Sequence, residues 1–273
     1  MLGYLRYVSL FSASILLLAG AVCASEAVER YLASNTSLKE GKRILDDFDA
    51  PLSAEVLTSC LEFLRHTFPE DEVAIGRVRQ NDLADWLIQQ PAHTEACTIA
   101  ILEVVAAENA DLLWREFCIQ KLALALEQAS LSEESTRQCL NTLIEKASDT
   151  RISFSGSALL GLYRLSKKDA PLVEPSKVAS LAEHVVESPD FAGANKVTAL
   201  QVAGLSGSEK AVHLARKYAG DESMPMQLRV SAVALLGNAG DESDLTELKK
   251  LTRSLDFRLR KAAEGAISNL TKT

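Results

Sequence analysis

Lys196-Val197-Thr198-Ala199-Leu200-Gln201-Val202-Ala203-Gly204 and Arg229-Val230-Ser231-Ala232-Val233-Ala234-Leu235-Leu236-Gly237 are two versions of one stretch, 33 residues apart. A looser third version, Arg260-Lys261-Ala262-Ala263-Glu264-Gly265-Ala266-Ile267-Ser268, follows 31 residues later. A repeat of that length, rich in Ala and Leu, marks a helical solenoid. Each copy is one supersecondary unit that cannot bury its own apolar face, so copies stack. The small residue shared by all three, Ala199, Ala232 and Ala263, is where neighbouring first helices are expected to approach closely.

The connections between helices repeat as well. Gly204-Leu205-Ser206-Gly207-Ser208 and Gly237-Asn238-Ala239-Gly240-Asp241 occupy the same place in successive copies. Glycine can close a helix in the left-handed conformation, and the Ser or Asp after it can cap the next one. Those next helices are amphipathic. In one, Ala211, Val212, Leu214, Ala215 and Tyr218 are apolar beside Lys210, His213, Arg216 and Lys217. In the other, Leu245, Leu248 and Leu251 form the inner stripe.

Working back from these copies, paired helices are expected at 112–127 with 133–147, 153–165 with 176–187, 194–205 with 208–218, and 227–238 with 244–252, and a last helix at 257–270. Residues 94–107 are apolar on most sides and should be buried between neighbours. Further upstream, Ser37 opens a capping box with Glu40, and Ser53 should cap a helix over 54–67. A short helix is expected at 83–88. No segment alternates with period two for long enough to make a strand. The fold class is therefore all-α, a solenoid of stacked antiparallel helix pairs. Its expected parts are a leader at 1–24, a helical region at 25–93 and the solenoid at 94–273.

Residues 191–273 resemble HEAT repeats, most of all the short repeats of the phycobilisome-lyase-type HEAT family. Leu228-Arg229-Val230-Ser231-Ala232-Val233-Ala234-Leu235-Leu236-Gly237 carries the resemblance, with Gly240-Asp241 and the Leu245, Leu248, Leu251 helix. Over 94–190 only the paired-helix rhythm persists. The resemblance implies a right-handed superhelix whose second helices line a concave surface, and a role in interaction. The pigment-attaching activity that named the family belongs to cytosolic proteins and does not suit a chain expected to be exported.

Export is expected from the first residues. Arg6 gives a short positive start, 8–22 is apolar and uncharged, and Val22-Cys23-Ala24 offers small residues for cleavage after Ala24. An uncleaved anchor or a lipid on Cys23 are the alternatives, and only they would bring membrane contact. The expected place is therefore the periplasm or the outside of the cell.

The formal charge of the whole chain is −8. Residues 191–273 hold 12 Lys and Arg against 9 Asp and Glu, whereas 25–190 hold 16 against 28. An acidic front half without a basic stripe argues against nucleic acid. Four cysteines remain after the leader, Cys60, Cys97, Cys118 and Cys139. They stand either as buried thiols or with Cys118 and Cys139, on consecutive helices, as a disulfide.

Little in the chain points to chemistry. His93 and Cys97 have a spacing that suits two metal ligands, but nothing nearby supplies a third. Gly204 to Ser208 ends a helix rather than a strand, so it is a turn and not a nucleophile elbow. No phosphate-binding glycine motif exists. No catalytic, metal or cofactor residue is therefore assigned, and no cofactor is expected. Arg229 and Arg260 recur at one repeat position, either as a ladder facing an acidic ligand or as ties between neighbouring repeats.

The expectation is a non-enzymatic exported scaffold that binds a protein partner. Its candidate surface is Lys210, His213, Arg216, Lys217, Lys249, Lys250 and Arg253, which would meet an acidic or mixed-charge patch. The alternative is an enzyme, or a regulatory subunit of one, with its site in 54–150, where the repeat signal fades.

Overall fold

The structure, a computed structural model, describes residues 26–33, 36–48, 52–128 and 130–272. The expected leader at 1–24 lies outside the described residues. All regular structure among the described residues is helical, and none of these helices is long and apolar enough to cross a membrane. The chain forms two compact units that divide between Ser135 and Thr136.

The first unit contains α1 (26–32), α2 (Leu38–Asp46), α3 (Ala54–Arg65), α4 (Val73–Ile88), α5 (Thr94–Ala106) and α6 (Leu112–Gln128). Ser37 and Ser53 start α2 and α3 as expected, their hydroxyls accepting from the backbone N–H of Glu40 and Val56. α4 packs on α2, α3, α5 and α6, and α5 packs on α3, α4 and α6. The expected boundary at residue 94 therefore falls at the start of a helix whose neighbours lie on both sides of it in sequence.

α4 is ten residues longer at its start than the apolar pattern suggests. Its first half buries polar side chains instead. Gln80, 2% exposed, donates from Nε2 to the carbonyls of Phe63, Leu64 and His66 at the end of α3. The last carbonyls of a helix lack the full set of partners inside it: Phe63 accepts here from the His66 N–H as well, Leu64 from Trp114 Nε1, and the buried amide adds to both and reaches His66. An apolar periodicity cannot report a helix buried in this way.

α7 (Glu133–Ser148) spans the division, and the second unit continues with α8 (Ser155–Ser166), α9 (Pro175–Glu187), α10 (Gly193–Leu205), α11 (Glu209–Gly220), α12 (Met226–Ala239), α13 (Leu245–Leu251) and α14 (Phe257–Leu270). α8, α10, α12 and α14 pack each on the next. α9 sits between α8 and α10, α11 sits between α10 and α12, and α13 lies against α14. The first helices stack as the repeat implies, while each second helix packs chiefly on the first helix that follows it, α9 on α10, α11 on α12 and α13 on α14, so the expected pairing of 227–238 with 244–252 gives way to that of α13 with α14.

Small residues set the spacing of the first helices. Ala199, Ala232 and Ala263 are each fully buried. A Cβ at Gly204 of α10 would lie 2.0 Å from a methyl of Leu235, and one at Gly237 of α12 would lie 2.5 Å from the Ala266 Cα. The two glycines are repeat equivalents, and each faces the next first helix.

The two repeat turns close by different means. After α10, Gly207 is left-handed at φ +81, and the N–H of Ser208 reaches the Ala203 carbonyl at 3.0 Å. That is the Schellman closure. After α12, Gly240 has an ordinary φ of −80. Glycine is needed there for room, since a Cβ would meet the Leu236 carbonyl oxygen at 2.4 Å.

Asp256 caps α14, accepting from the N–H of Arg258 and Leu259 at 2.8 and 3.3 Å. The Arg258 side chain beside it holds its carboxyl at about 2, below the ordinary 3.8. A depressed carboxyl supports the fold above the ordinary value, and that support is lost as pH falls through about 2. The protection factor against hydrogen exchange at the first turn of α14 is expected to be unchanged from pH 7 to 5 and to fall between pH 4 and 2. Protection that is already lost at pH 5 would contradict the assignment.

Candidate functional site

Arg229 and Arg260 face their own fold rather than a ligand. Arg229 lies four residues past the N-cap Pro225, and its Nε donates to the carbonyl of Ala219 at the end of α11. Arg260 lies four residues past the N-cap Asp256, and its Nη1 donates to the carbonyl of Ser254 at 2.6 Å. Sequence reasoning missed a third case. Arg115 lies four residues past Asp111, whose side chain caps α6, and it donates from Nε and Nη2 to the Val105 carbonyl at 3.2 and 3.0 Å. An arginine one turn into a first helix thus ties down what precedes it, the end of the previous helix for Arg115 and Arg229 and the connecting segment for Arg260. The repeat device therefore extends into the first unit, where the flanking residues no longer match. Arg229→Met is expected to lose about 1–2 kcal/mol through one buried charged donor and an orphaned carbonyl. Urea unfolding measures it, and an unchanged midpoint would remove Arg229 from this role.

The seven basic candidates divide. Arg216 is taken up inside the fold: its Nε and Nη2 meet both carboxylate oxygens of Asp244 at 2.7 and 3.1 Å, and Nη2 also meets Asp241 at 2.8 Å. Asp244 is 6% exposed, so this forked pair is held by burial on one side. Asp241 and Asp244 also close a capping box at the start of η1 (Glu242–Asp244), which leads into α13. Arg216 therefore joins α11 to the turn before α13. Lys210 pairs with Glu187 of α9 at 2.8 Å, and Lys250 pairs with Glu247 at 2.8 Å. His213, Lys217, Lys249 and Arg253 are exposed and stand in no ion pair among the described residues. They are what remains of the basic face.

Cys60, Cys97, Cys118 and Cys139 are all buried thiols, and the structure joins none of them in a disulfide. Burial pushes the thiols of Cys60 and Cys97 up to about 12. His93 stands at the start of α5, its Nδ1 buried without a hydrogen-bond partner, while the Cys97 Sγ lies 3.9 Å from the Ala84 carbonyl. No group of three His, Cys, Asp or Glu able to hold a metal gathers among the described residues.

The first unit carries open clefts. One is lined by Lys42, Asp46, Asp82, Asp85 and Trp86 among others. There Asp85 is paired with Lys121 at 2.5 Å. Another, about 350 Å³, lies over α3 and α4 and includes Phe63, His66, Phe68 and Arg79. Neither brings a nucleophile against a base.

No family model matches the chain, and no curated protein matches it. Among solved structures, human deoxyhypusine hydroxylase in complex with glycerol is similar at 13% identity and a TM-score of 0.38, over 94% of this chain and 98% of that one. An engineered protein is similar at 13% identity and a TM-score of 0.28, over 92% and 91%. The first of these corrects the expectation of a non-enzymatic chain, because it is an enzyme on an all-helical HEAT-repeat fold. Such a fold does not mark a protein as without activity. At this similarity no reaction passes from that enzyme to this chain.

Proposed function

We propose that this chain is an exported HEAT-type repeat protein that engages a protein partner through the exposed side of α11, α13 and the turn after α13. The observation that carries this reading is the set of exposed basic side chains His213, Lys217, Lys249 and Arg253, left over after Arg216, Lys210 and Lys250 are spent on internal pairs. Stacked repeats present long surfaces, and these charges suit a partner with an acidic or mixed-charge patch. Exposed charges on such a rim chiefly set encounter rate and salt dependence.

The test begins with the tagged full chain, purified from its native envelope with whatever binds it. Lys217→Glu/Arg253→Glu is then compared with the unaltered chain against the recovered partner at two salt concentrations. A loss of about tenfold at low salt, shrinking at high salt, is expected. Equal affinity at both concentrations would remove this surface. Arg216→Glu is the wrong probe, because it breaks the tie to Asp244 and confuses binding with stability.

A further inference from the structure

Three arginines are buried among the described residues, Arg79, Arg115 and Arg229. Arg115 and Arg229 donate to backbone carbonyls. Arg79, 3% exposed, has no acceptor: its Nε and Nη2 are buried and unpartnered among the described residues. The guanidinium lies against two rings that themselves meet edge to face, its Cζ 5.3 Å from the centre of Tyr31 and 5.1 Å from that of Phe63. Stacking on rings offsets part of the cost of burying the charge, but it satisfies no N–H. Nε and Nη2 form one edge of the guanidinium, the edge that matches the two oxygens of a carboxylate.

Arg79 lines the open cleft over α3 and α4, with Phe63 and Phe68 as apolar walls. The Phe68 wall is built in by sequence, since a Cβ on Gly76 of α4 would lie 2.3 Å from its ring. Glu62, Glu72 and His66 stand at the rim, all exposed. The floor is thus positive and the rim negative. A small anion is repelled at the entrance, whereas an acidic group with a basic neighbour is matched at both levels. The cleft is open to the surface, so its occupant can arrive on a larger chain.

We propose that this cleft receives an acidic side chain of a partner protein, its carboxylate on the Nε and Nη2 edge of Arg79 and an adjoining basic residue against Glu62 and Glu72. Both donor atoms are buried in a residue that lines the cleft, so a carboxylate reaches them only as a wall side chain turns aside. The site is separate from the basic face of the second unit and stands or falls without it.

The probe is the blocked dipeptide acetyl-Glu-Lys-amide, titrated into the full chain while the Arg79 Nε–H resonance is followed by NMR. A shift is expected with this peptide, with acetyl-Gln-Lys-amide binding at least about tenfold more weakly for loss of the charged acceptor. Arg79→Met is expected to abolish the peptide-induced shifts at the Phe63 and His66 amides while leaving the thermal midpoint equal or higher, since an unpaired buried charge is removed. An unmoved Arg79 resonance, or equal binding of the Gln peptide, overturns the proposal, as does acetate binding as tightly as the dipeptide. A lowered midpoint for Arg79→Met with no peptide response in the unaltered chain assigns Arg79 to ring stacking alone. Should that variant not fold, the two peptides on the unaltered chain decide.

Discussion

Gly237→Val is expected to destabilise the second unit by at least ~3 kcal/mol, more than twice the effect of the same change at Gly204. The two glycines are equivalent in sequence, and both face the next first helix. What differs is the atom each faces. At Gly237 the obstacle is the α14 backbone, with the Ala266 Cα 2.5 Å from the point a Cβ would occupy. Backbone cannot step aside without moving the whole helix. At Gly204 the obstacle is the tip of Leu235, which can rotate. Thermal or urea unfolding of the two variants makes the comparison. Equal losses would mean that α12 and α14 are not in this close approach.

Ala232→Arg is expected to cost about 3 kcal/mol or more, enough to unfold much of the stack. Ala232 is fully buried on α12, a helix that packs against α10, α11 and α14. An arginine there overpacks the layer and buries a charge with no acceptor. Ala234, exposed on the same helix, is the matched control, where the same change should stay within about 0.5 kcal/mol. An Ala232 variant that melts like wild type would refute the repeat register, because register alone puts 199, 232 and 263 inside.

Much of this architecture was legible because the physics behind it is local and periodic. The Ala and Leu spacing of 196–204 and 229–237 gives helices, their offset gives stacking, and Ser37, Ser53 and Ser208 announce helix starts. The start of α4 was not legible, because Arg79 and Gln80 are polar side chains whose burial depends on Tyr31 and on the end of α3. The role of Arg216 was hidden for a similar reason. Its partner Asp244 is 28 residues away, and a basic residue on an amphipathic helix reads as solvated until the facing turn is known. The tie made by Arg115 could have been found by counting four residues from a capping Asp. Matching flanks missed it, since Leu112-Leu113-Trp114 shares little with Met226-Gln227-Leu228.

The four buried cysteines have a consequence for how this molecule ages. A thiol raised to about 12 has almost no thiolate at neutral pH, and thiolate is the species that oxidises. While the chain is folded, an oxidising medium has little to attack. Once it opens, all four sulfurs are exposed and can be joined in three ways. A chain locked by any of these bridges cannot return all four sulfurs to their separate buried places. Native packing thus acts as the protein's own antioxidant, and a passing excursion to the unfolded state, harmless under reducing conditions, becomes permanent damage under oxidising ones.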